Sequence, residues 1–525
     1  MGKEIGIDLG TTNTVVSYID KKNKLKSLKV SNKVIIPSAV FFNSEDEWVI
    51  GNEAIERGKQ NVSAFVSNFK ATMGDRSYKH QITAENGDRF KIPSKEVAMC
   101  FLVKVIKAIE TRLIKEFGVE EGFVEKAVIT VPAKFSSTEK EATKWAALEA
   151  GLRDVKLAAE PTAAAIAYQR ESGEEGKNIL VYDFGGGTFD VSILREKDGT
   201  FTEIATGGDK TLGGNKLTNH IVEFLLEAIE DDFDLMMPMD EEDFDEEDSG
   251  ISEETYKRNM QAIRDAANKA KEKLSSEDEA EMDIDLLLPG DEPVKYNEIF
   301  TRANVEKFMA KDIKRTVEIT MNVLEEAKKE NIDEVEEIVL AGGSSQIPMV
   351  RAELEKAMDM KIKFADDVST LISKGAATLA SFSFSEGLTT IAKTNVELGI
   401  EVAQGASLSV FEKLIDVNTV LPYKTKQRYN LREDGQQRLE VKIFERDIKN
   451  YPNARRVFDK GIEQIDVLII SNLPDGLKKN DTIVEVTFDA QVDGSLNVTA
   501  EIIDCKTNLA IKDGNIQVNK ESNLE

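Results

Sequence analysis

Residues 5–16, IGIDLGTTNTVV, and residues 180–192, LVYDFGGGTFDVS, follow one plan. Each runs an apolar segment into an aspartate, then an apolar residue, a glycine, two small residues, a polar residue and renewed apolar alternation. Asp8 and Asp183 are the matching carboxylates, 175 positions apart. Two copies of a strand–turn–strand device predict two similar lobes facing each other across a cleft, and such self-similarity weighs more than either motif alone.

The turns carry the chemistry. A Gly/Thr turn after a buried strand aims backbone N–H groups and hydroxyls at one point, and its small side chains let an anion approach closely. Gly10-Thr11-Thr12 and Gly185-Gly186-Gly187-Thr188 each supply such a cradle. Either turn alone reads as a tight hairpin; two facing turns, each led by an aspartate, predict a phosphate site. The carboxylates cannot hold phosphate themselves, so their expected task is to bind Mg2+, mostly through its waters. A third turn, Gly342-Gly343-Ser344, follows the strand-like EEIVLA and precedes a helix opened by Pro348. Alone it is a plain strand-to-helix loop; beside the other two it becomes a candidate adenosine or ribose site. Glu160, just ahead of Pro161, reads from position alone as a helix-capping carboxylate.

Around these motifs, residues 1–384 alternate strand-like runs (KAVITVP, NILVYDF) with helical ones (EVAMCFLVKVIKAIETRLIKEF, YKRNMQAIRDAANKAKEKL), which predicts an α/β architecture with layered sheets. From residue 395 the period becomes 2, in RLEVKIFER, TIVEVTFDA and SLNVTAEII, separated by the turn signals EDGQ, LPDG and VDGS. That tail predicts a small antiparallel β domain, with the boundary in 385–394. Residues 230–248 hold twelve carboxylates and no basic residue. This stretch reads as a solvated, mobile loop, with a docking surface or cation sink as the other reading.

The whole chain has 525 residues, 41% of them hydrophobic, and a formal net charge of −28. The length predicts three or four structural units. The charge argues against nucleic acid or an anionic membrane as the main partner, because phosphates demand Lys/Arg neutralisation. Only Cys100 and Cys505 occur, too few for a disulfide framework or zinc cluster, and a reducing compartment is expected. His80 and His220 are the only histidines, which supplies a Ser/His or metal–His site poorly. With no basic-then-apolar leader and no run of about 18 apolar residues, the expected location is cytoplasmic.

The ordered motifs IGIDLGTTN, AVITVPA, EPTAAAIAY, VYDFGGGTFDVSIL, LGG at 212–214 and GGSSQIP resemble those of the DnaK-type heat-shock chaperones, the seventy-kilodalton class. The resemblance continues through LGIE and EVTFD to VDGSLNVTA, nearly the whole chain. It implies an actin-like (ribonuclease H-like), two-lobed ATPase domain over 1–384, a linker over 385–394 and a β-sandwich substrate domain over 395–525. ATP/ADP and Mg2+ are implied, with K+ as a further candidate cation. Asp8, Gly10, Thr11, Thr12 and Asn13 fall where the family binds Mg2+ and phosphate. Lys70, in NFKATMG, falls on the family's catalytic lysine, which contacts the γ-phosphate and attacking water. Glu160, Asp183, Thr188 and Asp190 match the groups that order Mg2+ and its waters, and Gly185, Gly186, Gly187, Gly213 and Gly214 the phosphate turns. Lys271 and Ser275, with Gly342, Gly343 and Ser344, match the nucleoside pocket; by pattern alone NKAKEKLSS is an exposed helix face. Ile400, Val402, Ala403, Tyr429, Asn430, Leu439 and Val441 fall on the lining of the family's groove for extended apolar peptides. By pattern alone these seven are core. Implied partners are unfolded peptide segments, a J-domain co-chaperone and a nucleotide exchange factor, around a mainly monomeric protein.

The departures cluster in the relay rather than the phosphate chemistry. The family's acid–leucine-like–acid linker reads GLTTIA, with Gly387 and Ala392 in place of acids. Lys156, Ala159 and Ala392 stand where Arg, Asn and Asp dock co-chaperones, and Lys does not reproduce a bidentate Arg. Gln346 replaces a stacking Arg, Asn268 a Glu, Glu272 an Arg, and Ser369-Thr370 an Asp-Glu pair. Lys134 and Lys140 replace a Tyr and an Arg on the relay path. The chain stops at Glu525, where the family's helical lid begins, and a groove without a lid would release peptide fast. Two alternatives follow: a nucleotide-gated interaction protein without generic chaperone activity, and a sugar kinase or filament on the same lobes, for which the β tail has no use.

Overall fold

The computed structural model describes the chain except at 1–2, 31, 119–123, 174–175, 198–199, 291, 333, 359–367, 384–388, 392, 405–406, 472, 474–475, 493, 505–508 and 518–525. Gly387, Ala392 and Cys505 therefore lie outside the described residues, as does half of the expected linker. Two compact units result, one of residues 1–134 and 146–388, the other of 135–145 and 389–525.

In the first unit the strand Lys3–Leu9 lies at the centre of a mixed sheet because Ile5, Ile7 and Leu9 are all fully buried. Asn13–Ile19 and then Leu25–Ser27 continue antiparallel on one side; Val124–Val131 and Asp154–Ala159 add parallel strands on the other. A second sheet repeats this plan. Asn178–Phe184, Phe189–Lys197 and Thr200–Asp209 form the meander, and Glu337–Ala341 adds the parallel strand beside the first. The echo between the two motifs thus extends to the wiring of their sheets.

Small residues let helices lie close between these layers. Helix Glu160–Ser172 presents Ala163, Ala164 and Ala165, all fully buried, and helix Leu371–Ser383 meets it at Gly375. A Cβ built on Gly375 would lie 1.8 Å from the Ala163 carbonyl oxygen, and one built on Gly6 2.0 Å from the Ala377 nitrogen. Backbone meets backbone at both points, so only glycine fits.

The acidic stretch keeps its carboxylates exposed, as expected of a solvated segment, but it is tied down as a strap rather than left as a loop. Its first residues finish helix Gly214–Phe233, and Leu235 and Met237 are buried in the core of the lobe. Phe244 stacks on Tyr256 with ring centroids 4.2 Å apart, and the Tyr256 hydroxyl donates to the Pro238 carbonyl at 2.9 Å. Asp245 caps the short helix Glu246–Ser249 through the amides of Glu247 and Asp248. The apolar residues interleaved among the carboxylates tie the strap down, a pattern that a charge count overlooks.

The second unit contains two four-stranded antiparallel sheets. One runs Ser407–Ile415, Glu397–Gln404, Arg438–Arg446, Ile462–Ser471; the other Tyr423–Asn430, Thr482–Ala490, Leu496–Asp504, Leu509–Gln517. Ile400, Ile443 and Ile470 of the first share one core with Val486, Phe488 and Val498 of the second. The alternation legible in the tail is this inward and outward pleat.

Candidate functional site

A cleft of about 550 Å3 opens in the first unit, lined by both glycine turns, by Lys70, Glu160 and Asp183, and by Lys271, Ser275 and Gly342–Ser344. The two turns touch. A Cβ on Gly186 would lie 2.2 Å from the Thr12 hydroxyl, and one on Gly187 2.6 Å from that of Thr11. Bare backbone is what lets the turns face each other at this distance, leaving their amides and hydroxyls around a single hollow.

Register places the carboxylates. Asp8, at the end of its strand, pairs in the parallel ladder with Thr130, whose hydroxyl donates to its carboxylate at 3.2 Å. Asp183 sits opposite Asp190 on the antiparallel neighbour, and the Thr188 hydroxyl donates to Asp190 at 3.2 Å. Lys70, buried in a short 3-10 turn, donates to Glu160 at 2.9 Å, with Glu160 itself buried. Glu160 is the first residue of its helix, with Ala159 at the N-cap, and its carboxylate also lines the cleft, where it meets Lys70.

Burial, then the Glu160 charge, pushes the Asp8 carboxyl up to about 7, against the lowering pull of Lys70 and of the Thr130 hydroxyl. Asp190 is pushed up to about 7 by burial and Glu160, and Asp183 is raised by burial and then by Glu160, Asp190 and Asp8. Lys70, with Lys134 acting on Asp190 as well, faces four acids, so carboxylates outnumber cations on this floor. That donor set suits a divalent cation. Among the described residues no three His, Cys, Asp or Glu side chains converge closely enough to ligate an ion directly, so water would complete its shell.

A carboxyl whose folded pKa exceeds its unfolded value holds a proton in the fold that the unfolded chain has released, so the fold weakens as pH rises between the two values. For Asp190 that window runs from about 3.8 to about 7. Asp190→Asn is therefore expected to raise the melting temperature of the unliganded protein at pH 8 and to change it little at pH 4. An equal shift at both would show that the carboxylate is not held under this strain.

Beyond the phosphate turns, helix Gly214–Phe233 is docked by its first amides, Gly214 N to Gly185 O at 2.9 Å and Asn215 N to Gly186 O at 2.7 Å. A Cβ on Gly213 would strike the backbone of Gly186 and Gly187. Lys271 is buried, not part of an exposed face. It donates to the Gly214 carbonyl at 2.8 Å and the Thr218 hydroxyl at 2.7 Å, and burial pulls its pKa down to about 8. Ser344 donates to Gly185 O at 2.9 Å, joining the third turn to the second. Gln346, Asn268 and Glu272 line the same cleft, with Asn268 donating to Glu272 at 2.9 Å.

Sequence reading missed Thr130 and Asn215. The Asn215 side chain receives the Thr12 hydroxyl at 3.5 Å and donates to Asn68 at 3.2 Å, bridging the first turn and the segment that carries Lys70. Its place directly after Gly213-Gly214 was the available signal. Thr130 is visible only through strand pairing.

In the sandwich, Ile400 and Val441 are buried core residues, Val402, Tyr429 and Leu439 are half-buried against that core, and Ala403 and Asn430 are exposed. Lys134 donates to the Gly208 carbonyl at 3.1 Å. Cys100 is a buried free thiol. No helix among the described residues is long and apolar enough to cross a membrane.

A family model described as Hsp70 protein matches residues 4–525, both compact units included. Proteins of this family are ATP-dependent chaperones that use nucleotide together with Mg2+. With two wired-alike sheets around one cleft in the first unit, two antiparallel sheets sharing one core in the second, and a match over essentially its whole length, the chain belongs to the Hsp70 family.

Proposed function

We propose that the first unit is an actin-like ATPase whose two glycine turns clamp the phosphates of Mg-ATP, and that the sandwich binds extended apolar peptide segments. The observation that carries the reading is the contact of Gly186 with Thr12 and of Gly187 with Thr11 above a floor of Lys70, Glu160, Asp8 and Asp183. Turn amides and hydroxyls would hold the phosphate oxygens. Asp8, Asp183, Asp190 and Glu160 would hold the ion through water; when bound, it neutralises phosphate charge. Lys70, kept in place by Glu160, would orient the attacking water and meet charge developing on the γ-phosphate. Lys271, Ser275 and the Gly342–Ser344 turn would seat the nucleoside.

For peptide, the half-buried Val402, Tyr429 and Leu439 offer apolar surface, and the exposed Ala403 and Asn430 stand at its edge. Isothermal titration with Mg-ATP tests the first part, and absence of detectable heat or competition would end it. Anisotropy of a fluorescent apolar heptapeptide, with and without ATP, tests the second.

The altered relay positions favour a second reading, in which nucleotide sets the shape of an interaction protein with weakened coupling. Its discriminator is the ATPase rate with peptide and a J-domain protein added; substantial stimulation by both rejects it. A kinase or filament has no use for the sandwich that the family match includes.

A further inference from the structure

Residues 447–461 join two strands of the sandwich, Arg438–Arg446 and Ile462–Ser471, and they are built rather than loose. The Val457 amide donates to Ser409 O at 3.0 Å and the Phe411 amide to Arg455 O at 2.9 Å, so the loop runs along the edge of strand Ser407–Ile415. Beneath it Ala454, Phe411, Phe444 and Ile462 form a small core of their own, against which Tyr451 and Val457 pack.

Both carboxylates of the loop are spent on its own folding. Asp459 accepts the amides of Arg455 and Arg456 at 2.8 and 2.9 Å, and Asp447 accepts the amide and side chain of Asn450. What faces outward is positive. Arg455, Arg456 and Lys460 are exposed and form no ion pair among the described residues. Between them Phe458 is 68% exposed, the most exposed large apolar side chain among the described residues, with the Arg456 guanidinium 5.7 Å from its ring centroid.

This is a cationic, aromatic surface on a chain of net charge −28. Arginine beside an aromatic ring is the chemistry of interface anchors, and a rigid backbone lowers the entropy cost of using it. A long polyanion would meet repulsion from the rest of the molecule, whereas a short segment feels only the local field. We propose that this face docks a short acidic segment of another protein, its carboxylates against Arg455, Arg456 and Lys460 and an apolar side chain against Phe458. The residues are distinct from those assigned to apolar peptide, and the inference does not rest on that assignment.

The test uses the full chain and a fluorescein-labelled 18-residue peptide with the sequence of residues 231–248, which carries acids, methionines and phenylalanines. Its control replaces every Asp and Glu by the amide. Anisotropy should show binding of the acidic peptide that weakens with salt. The control should bind about tenfold more weakly, as should the acidic peptide to Arg455→Glu/Arg456→Glu and to Phe458→Ala. ATP hydrolysis and melting temperature of both variants should match the parent. No binding, equal binding of the two peptides, or indifference to both variants overturns the proposal. Displacement by a single-stranded oligonucleotide as readily as by unlabelled peptide also overturns it, in favour of polyanions in general. Sedimentation of the chain alone is expected to show no association; salt-sensitive self-association lost in the Arg455→Glu/Arg456→Glu variant would assign the face to a second copy instead.

Discussion

Lys70→Ala is expected to lower the single-turnover rate of ATP hydrolysis by about 10²–10³-fold, the usual cost of removing a preorganised charge that meets the transition state. Binding of ATP should weaken by less than about tenfold, because the amides and hydroxyls of both turns remain. The geometry separates the two effects. Lys70 is buried against Glu160 at 2.9 Å on the floor of the cleft, whereas the cradle is made of Gly10–Thr12 and Gly185–Thr188. The variant also leaves Glu160 without its lysine beside three other acids, so the unliganded melting temperature should fall. Phosphate release after rapid mixing, set beside isothermal titration, reads both quantities. A variant hydrolysing at the parental rate would show that the lysine is assigned wrongly; one that no longer binds ATP would show that it holds the substrate rather than the transition state.

Gly375→Val carries the largest expected effect on stability, about 3 kcal/mol or more, or failure to fold. The new Cβ would fall 1.8 Å from the Ala163 carbonyl oxygen and 2.4 Å from its carbon. Neither atom belongs to a side chain that could swing away, so helix Leu371–Ser383 would have to lift. That same helix lies against Gly6, on the strand that carries Asp8, and lifting it would disturb the site as well as the core. Gly290 supplies the contrast. It has φ 83 and nothing within 4 Å of an added Cβ, so Gly290→Ala should cost only the backbone term, about 1–2 kcal/mol. Urea unfolding of the three proteins measures the difference, and equal midpoints would mean that the close crossing is not tight in solution.

The repeated apolar–Asp–Gly plan was legible because phosphate turns demand glycine and small residues at fixed spacing, and that demand leaves a local mark. The tail was legible for a similar reason: a sheet with one wet face writes its period of 2 directly into the chain. The acidic strap misled because charge dominates its composition, while Leu235, Met237 and Phe244, which anchor it, are few. Lys271 misled by pattern for a related cause, since a buried lysine on a charged helix differs from its exposed neighbours only through what packs over it.

By itself, then, the sequence determined the local devices: two Asp-led glycine turns, the alternation of strands and helices, the antiparallel tail and the family. Tertiary structure alone decided which distant groups meet. That Thr12 faces Gly186, that Thr130 reaches Asp8, that Glu160 pairs with Lys70, and that Asn215 meets Thr12 through its side chain and Gly186 through its amide all depend on strand register and helix packing. The reason is physical. Turn chemistry and periodicity act over a few residues, whereas the charge balance of the cleft is set by side chains far apart along the chain, Asp8 and Asp190 by 182 positions, brought together only when the cores close.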